Sequence, residues 1–348
     1  MLKFATLMPP DTSWMKIIDA WAAQVEKESK GRLKFKMYPG GVMGDEPDVL
    51  RKIRINQLQG GAFTGYGIGR MFSPARVLEM PFLFKNTDES DYVRARIMPD
   101  IKKGFRDNGY ELLGWMEIGF IHFFSKAPIN SMDDVRKRRI WLWQGDPLGE
   151  SFFKSAEISP IPLSIMDVYP QLSTRHGSVD TVYISPYGAI ALQWYTKVKY
   201  ATNIPITNGI GGLIVSNRFF RKLPKDLQGI LKRTGEEAGK RLIQTARKDN
   251  NKSIEILKES GIQFMWNWDE IDQQELFDLR DRAAAHLEKT NYIPKYYFDR
   301  TRKMLNTFRS QSKRSQSKRS QSKRSQSKRS QDKHSQSDRP QSKIAVKP

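Results

Sequence analysis

The chain has 348 residues, 38 % of them hydrophobic, which is enough to bury a large core in one or two domains. It contains no cysteine, which excludes disulfides, thiolate metal sites and cysteine nucleophiles. No apolar run approaches the roughly 20 residues that a membrane-spanning helix needs. Leu2–Thr6 already alternates like a strand, so we expect that a leader peptide was removed or lies upstream of Met1.

The net charge of +21 is divided between a long first part and a basic tail. Residues 310–348 hold twelve Lys or Arg and two Asp and carry +10, and the other 309 residues carry +11. The pentapeptide Ser310–Arg314 recurs through Arg329. Such a segment cannot offset its ordering entropy by burial, so a disordered basic repeat tail is predicted over 309–348.

The tail allows two interpretations. A basic, Ser-rich array could bind nucleic acid or anionic lipid through phosphate contacts. Alternatively, a repeat at the end of the gene adds only a solvated charged segment. The tail has no aromatic residues for base stacking, which favours the second interpretation and no nucleic-acid partner.

Strands and helices alternate before the tail. Leu2–Thr6 is a predicted strand, and 33–37 alternates apolar residues with lysines like a half-buried strand. Between them a helix is predicted from apolar residues at helical spacing: Ile18, Trp21, Ala22 and Val25. This β-α-β order implies parallel strands and an α/β domain. A helix from Pro47 and a third strand over 60–64 continue the pattern.

The middle of the chain carries more predicted strands. Residues 111–115 and 121–125 read as two separate strands, and 131–135 as a capped turn of helix. Helices are predicted over 147–156 and 165–173, and a strand over 179–184. A helical run from Pro224 to about Ser260 is far longer than a typical globular helix, and it could brace two lobes.

A tryptophan-containing strand runs from Arg138 into a Gly-Asp-Pro turn at residues 145–147. Strand side chains alternate between two faces, so Ile140 and Leu142 share one face. Trp141 and Trp143 share the other face with Arg139. Two rings opposite the aliphatic face, next to a turn, favour the wall of a binding pocket over a purely structural strand.

The order of motifs resembles the solute-binding subunit of a tripartite ATP-independent periplasmic (TRAP) transporter, the dicarboxylate-binding-protein type. The matching pieces are Leu2–Thr6, Tyr38–Gly41 with Gly44–Glu46, Met80–Phe84, Phe124–Ile129, Asp167–Leu172 and Leu223–Gln228. The resemblance implies a two-lobed, periplasmic-binding-protein-like α/β fold with a ligand cleft between the lobes and a long bracing helix. It also implies a periplasmic location, a small organic acid as ligand, TRAP membrane permease subunits as partners, and neither cofactor nor metal.

On this resemblance we expect three parts. Lobe I would comprise 1–124 plus 214–250, and lobe II 125–213 plus 251–308. The basic repeat tail would follow over 309–348.

One position departs from the family pattern. Where the family places an arginine that clamps the ligand carboxylate, alignment from Asp134 places Trp141. Arg139 shares its face but lies two residues, roughly 6.5 Å, nearer the start of the strand. The departure favours an apolar or aromatic carboxylate over a small dicarboxylate. Alternatively, Trp141 and Trp143 pack beneath a helix such as the one that carries Trp194.

Further candidates follow from the same matching. Trp14 lies at the start of the first helix, where backbone N–H groups favour anionic atoms, or it is a core residue. Hydroxyl groups at strand ends could bind a polar head or only cap turns, and Asp before Pro is also a common turn former. The full set of predicted ligand-binding residues is Trp14, Thr64, Tyr66, Arg139, Trp141, Trp143, Gln144, Asp146, Tyr183, Ser185, Tyr187 and Trp194.

Catalysis is not indicated by the sequence. The four histidines lack metal-site spacing, and Gly65–Gly69 is not a dinucleotide fingerprint. Two rivals to an organic acid receptor remain open. One is a protein whose tail engages nucleic acid or anionic membrane. The other is a receptor for a quaternary ammonium cation, which tryptophan faces attract and Asp146 could assist.

Overall fold

A computed structural model describes residues 1–268 and 272–312. Residues 1–299 form one compact unit. Its strands are β1 (Leu2–Thr6), β2 (Phe35–Tyr38), β3 (Gly60–Thr64), β4 (Tyr110–Ser125), β5 (Trp141–Trp143), β6 (Ile161–Leu163), β7 (Thr181–Ile184), β8 (Tyr200–Thr202), β9 (Thr207–Ser216) and β10 (Gln263–Met265).

The helices of this unit include α1 (Ser13–Glu28), α2 (Glu46–Arg54), α3 (Gly65–Phe72), α4 (Thr87–Asp107), α5 (Met132–Arg136), α6 (Pro147–Ser155), α7 (Ile165–Ser173), α8 (Pro186–Ala191), α9 (Asn217–Phe220), α10 (Lys225–Glu259) and α11 (Gln273–Lys289), and a further helical stretch begins at residue 295. Segments of 3₁₀ helix span Ser73–Glu79 and Trp194–Lys197. The predicted mixed α/β class is confirmed.

The main sheet follows the strand order β10-β8-β4-β9-β3-β1-β2, with β7 also paired to β4. β1 pairs in parallel with β2 and β3, as the β-α-β pattern predicted. β3 pairs antiparallel with β9, and β9 with β4. β5 and β6 form a separate parallel pair.

β4 corrects a sequence prediction, because 111–115 and 121–125 belong to one strand of 16 residues. The pairing of β4 with β9 shifts register between Leu112 and Gly114 and between Glu117 and Gly119. Gly119 has φ +99°, a conformation that glycine adopts freely and that lets the strand bend and continue. β4 therefore pairs with β9 along one part of its length and with β7 and β8 along another.

α10 is a helix of 35 residues, which confirms the predicted long helix. A Cβ atom placed on its Gly239 would lie 2.5 Å from the Trp115 carbonyl oxygen, so glycine is required where the helix backbone meets β4. Further along, Asn250 donates to the Ile118 carbonyl (3.0 Å) and accepts from the backbone N–H of Tyr187 (3.0 Å). α10 thus braces both β4 and α8.

β5 separates two apolar clusters. Ile140 and Leu142 pack into one cluster with Phe152 and Phe153. Trp141 and Trp143 pack into another with Val182 and Trp194. The predicted alternation of faces along this strand is confirmed.

The second compact unit begins at Arg300, and its described part, residues 300–312, is helical. Residues 309–312, which the prediction assigned to the tail, belong to this helical part. The rest of the predicted tail, 313–348, lies outside the described residues. Among the helices that the structure describes, none combines the length and the apolar character that crossing a bilayer requires.

Candidate functional site

A cavity of about 220 Å³ lies where the ends of several strands of the sheet meet. Thr6 and Thr64, the last residues of the neighbouring strands β1 and β3, line it. Open α/β sheets bind ligands beyond the carboxyl ends of their strands, so this is the expected place for a binding site. The 3₁₀ segment Ser73–Glu79, β5 with its following turn, and the start of α8 complete the walls.

Trp141 forms part of one cavity wall and is held rigidly. Its ring stacks on Tyr183 with centroids 5.0 Å apart and meets Trp194 edge-on at 5.3 Å. Its indole Nε1 donates to the Leu163 carbonyl at 3.0 Å. Because this donor is already paired, Trp141 offers a ligand apolar surface rather than a hydrogen bond.

Trp143 and Trp14 extend the aromatic wall. Trp143 stacks on Tyr66 at 4.7 Å, and its Nε1 donates to Asp45 at 3.0 Å. Trp14 lies 4.9 Å from Tyr187, which also lines the cavity. Aromatic pairs at these distances are favourable beyond the area they bury, so the wall is preorganised.

Four charged residues are found among the described residues that line the cavity, and Arg76 is the only cation of the four. Arg76 is 3 % exposed and grips Asp146 through both terminal nitrogens, at 2.9 and 3.1 Å. Its Nε forms an ion pair with Glu79. Burial lowers the pKa of Arg76, but the two carboxylates outweigh it and hold the pKa well above its ordinary value.

The pKa of Glu79 is raised as well, but for a carboxyl group a raised pKa favours the neutral form. Burial raises the pKa of Glu79, although the guanidinium of Arg76 and the backbone N–H of Ile210 (2.8 Å) both favour the ionised form. The cluster therefore joins one firmly charged guanidinium to a carboxylate, Asp146, and to a carboxyl group that is reluctant to ionise. Ionisation of Glu79 would add a negative charge to the ion pair of Arg76 with Asp146.

Glu46 is the fourth charged residue. Its carboxyl group accepts from the Thr64 N–H (2.7 Å), the Thr64 hydroxyl (3.1 Å) and the Gly67 N–H (2.6 Å). Burial and the nearby charge of Asp45 raise its pKa to about 8, against the effect of these hydrogen bonds. At neutral pH Glu46 is therefore largely protonated.

Nine of the twelve predicted ligand-binding residues line this cavity: Trp14, Thr64, Tyr66, Trp141, Trp143, Asp146, Tyr183, Ser185 and Tyr187. The structure brings these residues together from separate parts of the chain. Ligand contact by each of them stays a prediction.

The other three predicted residues do not line the cavity. Arg139 precedes the short strand β5, is half-exposed and forms an ion pair with Asp180 at 3.2 Å. The side chain of Gln144 is exposed, and its backbone carbonyl accepts from Tyr66 (2.6 Å). Trp194 is buried behind Trp141.

Sequence reasoning missed Glu46, Arg76 and Glu79. Arg76 and Glu79 are opposite charges three residues apart, a spacing usual on solvated helix faces. Glu46 lies inside a motif, Gly44–Glu46, to which the resemblance assigned no role. The available signal was the position of Arg76 and Glu79 directly before the apolar run 80–84, which favours burial.

The residues of the turn 143–146 form hydrogen bonds and an ion pair with residues of the segment 45–76. Each of its four residues forms at least one polar contact: Trp143 Nε1 to Asp45 (3.0 Å), the Gln144 carbonyl from Tyr66 (2.6 Å), the Gly145 carbonyl from Arg70 (3.2 Å), and Asp146 with Arg76 (2.9 and 3.1 Å). This turn therefore fastens two distant parts of the chain together beside the cavity.

Known proteins resemble the chain along most of its length. Residues 4–289 match the family model described as bacterial extracellular solute-binding protein, family 7. The 2,3-diketo-L-gulonate-binding periplasmic protein YiaO of Escherichia coli is 22 % identical over 255 residues, 70 % of this chain and 74 % of its own. The sialic acid-binding periplasmic protein SiaP of Vibrio cholerae is 23 % identical over 69 % of this chain and 75 % of its own.

Solved structures share the fold. A TRAP periplasmic solute-binding protein from Pseudomonas putida, with bound D-glucuronate, superimposes with a TM-score of 0.77 at 23 % identity, covering 87 % of this chain and 96 % of that one. An extracytoplasmic solute receptor of Bordetella pertussis that binds pyroglutamic acid gives 0.79 at 17 % identity, with 88 % and 99 % covered. The two-lobed α/β architecture of such proteins is therefore the fold of this chain.

A family model that spans 4–289 and the shared fold agree with the order of motifs along the sequence. The chain belongs to family 7 of the bacterial extracellular solute-binding proteins, the family of the TRAP transporter solute-binding subunits.

Proposed function

We propose that the protein is a periplasmic receptor that captures an organic acid with an apolar or aromatic body and delivers it to TRAP permease subunits. The observation that carries this proposal is the wall of the cavity. Trp14, Trp141 and Trp143 line it together with Phe152 and Phe153, and the indole N–H groups of Trp141 and Trp143 are already bonded within the protein. A ligand meets these two rings as apolar surface.

The acid class is supported by the relatives. The proteins similar to this chain are described with sialic acid, 2,3-diketo-L-gulonate, D-glucuronate and pyroglutamic acid, all of them organic acids. Several of those ligands are rich in hydroxyl groups, so the apolar body is proposed from the lining of this cavity alone. On the sequence resemblance, stacking surface would take the place of the family's clamping arginine.

The proposed lobes are 1–124 plus 214–250 and 125–213 plus 251–308. On that division the contacts between 143–146 and 45–76 join lobe I to lobe II beside the cavity. Ligand capture would then be coupled to closure, and the closed form would be presented to the permease.

A quaternary ammonium solute is the second candidate. The cavity lining that the structure describes holds three carboxyl groups and one guanidinium, and aromatic faces attract such cations. We rank it second because Glu46 is largely protonated and Arg76 neutralises Asp146.

A thermal-shift screen of the full chain tests the proposal. The panel contains aromatic acids, fatty acids, small dicarboxylates and betaines. We expect aromatic or fatty acids to raise the midpoint of unfolding most. Stabilisation by succinate-like acids alone would refute the apolar body, and stabilisation by betaines alone would support the cationic alternative.

A deletion of residues 310–348 tests the rival in which the tail is the working part. The shift caused by the acid should survive this deletion, because every residue of the proposed site precedes it. Loss of all ligand-induced stabilisation with the tail would contradict the receptor function.

A further inference from the structure

We propose that Asp146 is a specificity-determining residue that makes the cavity reject ligands with a second carboxylate. The inference rests on the proposed function, since it concerns which organic acids the same cavity accepts. It starts from the fact that the protein places a carboxylate of its own on the cavity's only described cation, Arg76.

The hydrogen-bond capacity of Arg76 sets the first limit. A guanidinium has five N–H groups. Both terminal nitrogens of Arg76 hold Asp146, and Nε is paired with Glu79. The contact of Nε with Glu79 is an ion pair without hydrogen-bond geometry, and the Tyr292 hydroxyl competes for the other N–H groups, so one already engaged guanidinium would have to serve every carboxylate of a ligand. A dicarboxylate would have to leave its second carboxylate without a cationic partner.

Charge repulsion sets the second limit. Asp146 and Glu79 are both buried, and Glu79 already resists ionisation in this environment. A second ligand carboxylate would stand near the buried carboxylate of Asp146, where the effective dielectric constant is low and the repulsion between like charges is strong. Discrimination between ligands often depends on such a repulsive element as much as on attraction.

Asp146 cannot easily move aside. It is 5 % exposed and is the N-cap of α6, where its carboxylate accepts from the Leu148 N–H at 3.3 Å. Releasing Arg76 to a ligand would also free a buried guanidinium and loosen this cap. The carboxylate is therefore a fixed part of the cavity wall rather than an exchangeable lid on Arg76.

The test compares matched acids in an Asp146→Asn variant. Asparagine keeps the size of the side chain, still accepts from Arg76 and still caps α6, but it removes the charge. Isothermal titration measures hexanoate against adipate and 4-methylbenzoate against terephthalate. In the wild-type chain each monocarboxylate should bind more tightly than its dicarboxylate. In the variant that preference should fall about tenfold through a gain in dicarboxylate affinity, as expected for removing one nearby unit charge.

An Asp226→Asn variant is the matched control, because Asp226 is exposed and pairs with Arg32 on the surface. Its preference for monocarboxylates should equal that of the wild type. Should the Asp146→Asn variant misfold by circular dichroism, an Asp146→Ser variant removes the same charge while retaining a good N-cap residue.

The possible results separate this inference from the function on which it rests. Tight binding of the monocarboxylates with the same preference in wild type and variant overturns the role of Asp146 and leaves the receptor function standing. Preference of the wild type for adipate or terephthalate also overturns it. Failure of all four acids to bind any of the proteins contradicts the proposed function and this inference together.

Discussion

Asp45 accepts a hydrogen bond from the indole Nε1 of Trp143 at 3.0 Å, across 98 positions of sequence. The same carboxylate oxygen accepts from the Ser164 hydroxyl (2.8 Å) and the Ile165 N–H (3.2 Å), while its other oxygen caps α2 through the Glu46 N–H (2.7 Å). One carboxylate therefore lies at the N-termini of two helices, α2 and α7, where a negative charge is favoured.

Replacing Asp45 should weaken every ligand by the same factor. Asp45 is not among the residues that line the cavity, so it acts on ligand affinity through the contacts that hold 45–76 against 143–165. Hydrogen bonds to a charged group are worth about 1.5–3 kcal/mol, so Asp45→Ala should lower affinity about tenfold or more, mainly by faster dissociation. Titration and stopped-flow tryptophan fluorescence measure both quantities. A changed order of preference among ligands would instead place Asp45 in the binding surface.

Trp141 and Trp194 form a matched pair for the cavity wall. Both are almost fully buried and touch edge-on, but only Trp141 lines the cavity. Trp141→Phe should lower ligand affinity about five- to tenfold through lost contact area. Trp194→Phe should cost about 1–3 kcal/mol of unfolding free energy, with affinity changed less than about twofold. Equal losses of affinity in both variants would indicate that Trp141 only supports the structure and does not contact the ligand.

A variant of Arg139 tests the prediction that this residue contacts the ligand. The side chain is half-exposed and pairs with Asp180 outside the cavity. Exposed ion pairs contribute about 0–1 kcal/mol. Arg139→Ala should therefore leave both stability and ligand affinity nearly unchanged in the same titrations. A loss of affinity beyond about tenfold would show that Arg139 turns into the cavity when ligand binds and takes the role of the family's carboxylate-clamping arginine.

The free energy of unfolding should depend on pH through Glu46. Its pKa is about 8 in the folded chain and near 4.5 when unfolded, so the folded state holds the extra proton between these values. Stability contributed in this way is complete below pH 4.5 and is lost as the pH rises to about 8. A Glu46→Gln variant cannot ionise, so its stability should fall less over this window, by a difference of the order of 5 kcal/mol. Urea unfolding at several pH values measures it; parallel curves for the two proteins would contradict the raised pKa.

The regular elements were predictable where local pattern and tertiary packing agree. α7 begins at Ile165 and ends at Ser173, as predicted, because a Ser cap and apolar spacing mark it locally. The alternation of Leu142 against Trp141 and Trp143 also holds, since strand geometry fixes it. β4 was divided wrongly because Gly119, between the two predicted strands, imitates a turn signal, whereas pairing with β9 carries the strand through it.

The aromatic part of the candidate site was predictable and the charged part was not. Trp141 and Trp143 stand out by residue type and strand face. The pairing of Arg76 with Asp146 depends on side chains 70 positions apart, and no local pattern distinguishes a buried ion pair from a solvated one. The second role of the turn 143–146, as a fastening to 45–76, also depends on tertiary contacts that a single sequence does not display.

The full chain is incubated with an equimolar mixture of 4-methylbenzoate, hexanoate, succinate and glycine betaine and freed of unbound solute. Mass spectrometry of the small molecule that it releases on denaturation then decides between the candidate classes of ligand. We expect one released molecule per chain, with the mass of 4-methylbenzoate or hexanoate. A single released species with the mass of succinate would contradict the proposed receptor for an apolar or aromatic acid, and a species with the mass of glycine betaine would replace the acid by the cationic alternative.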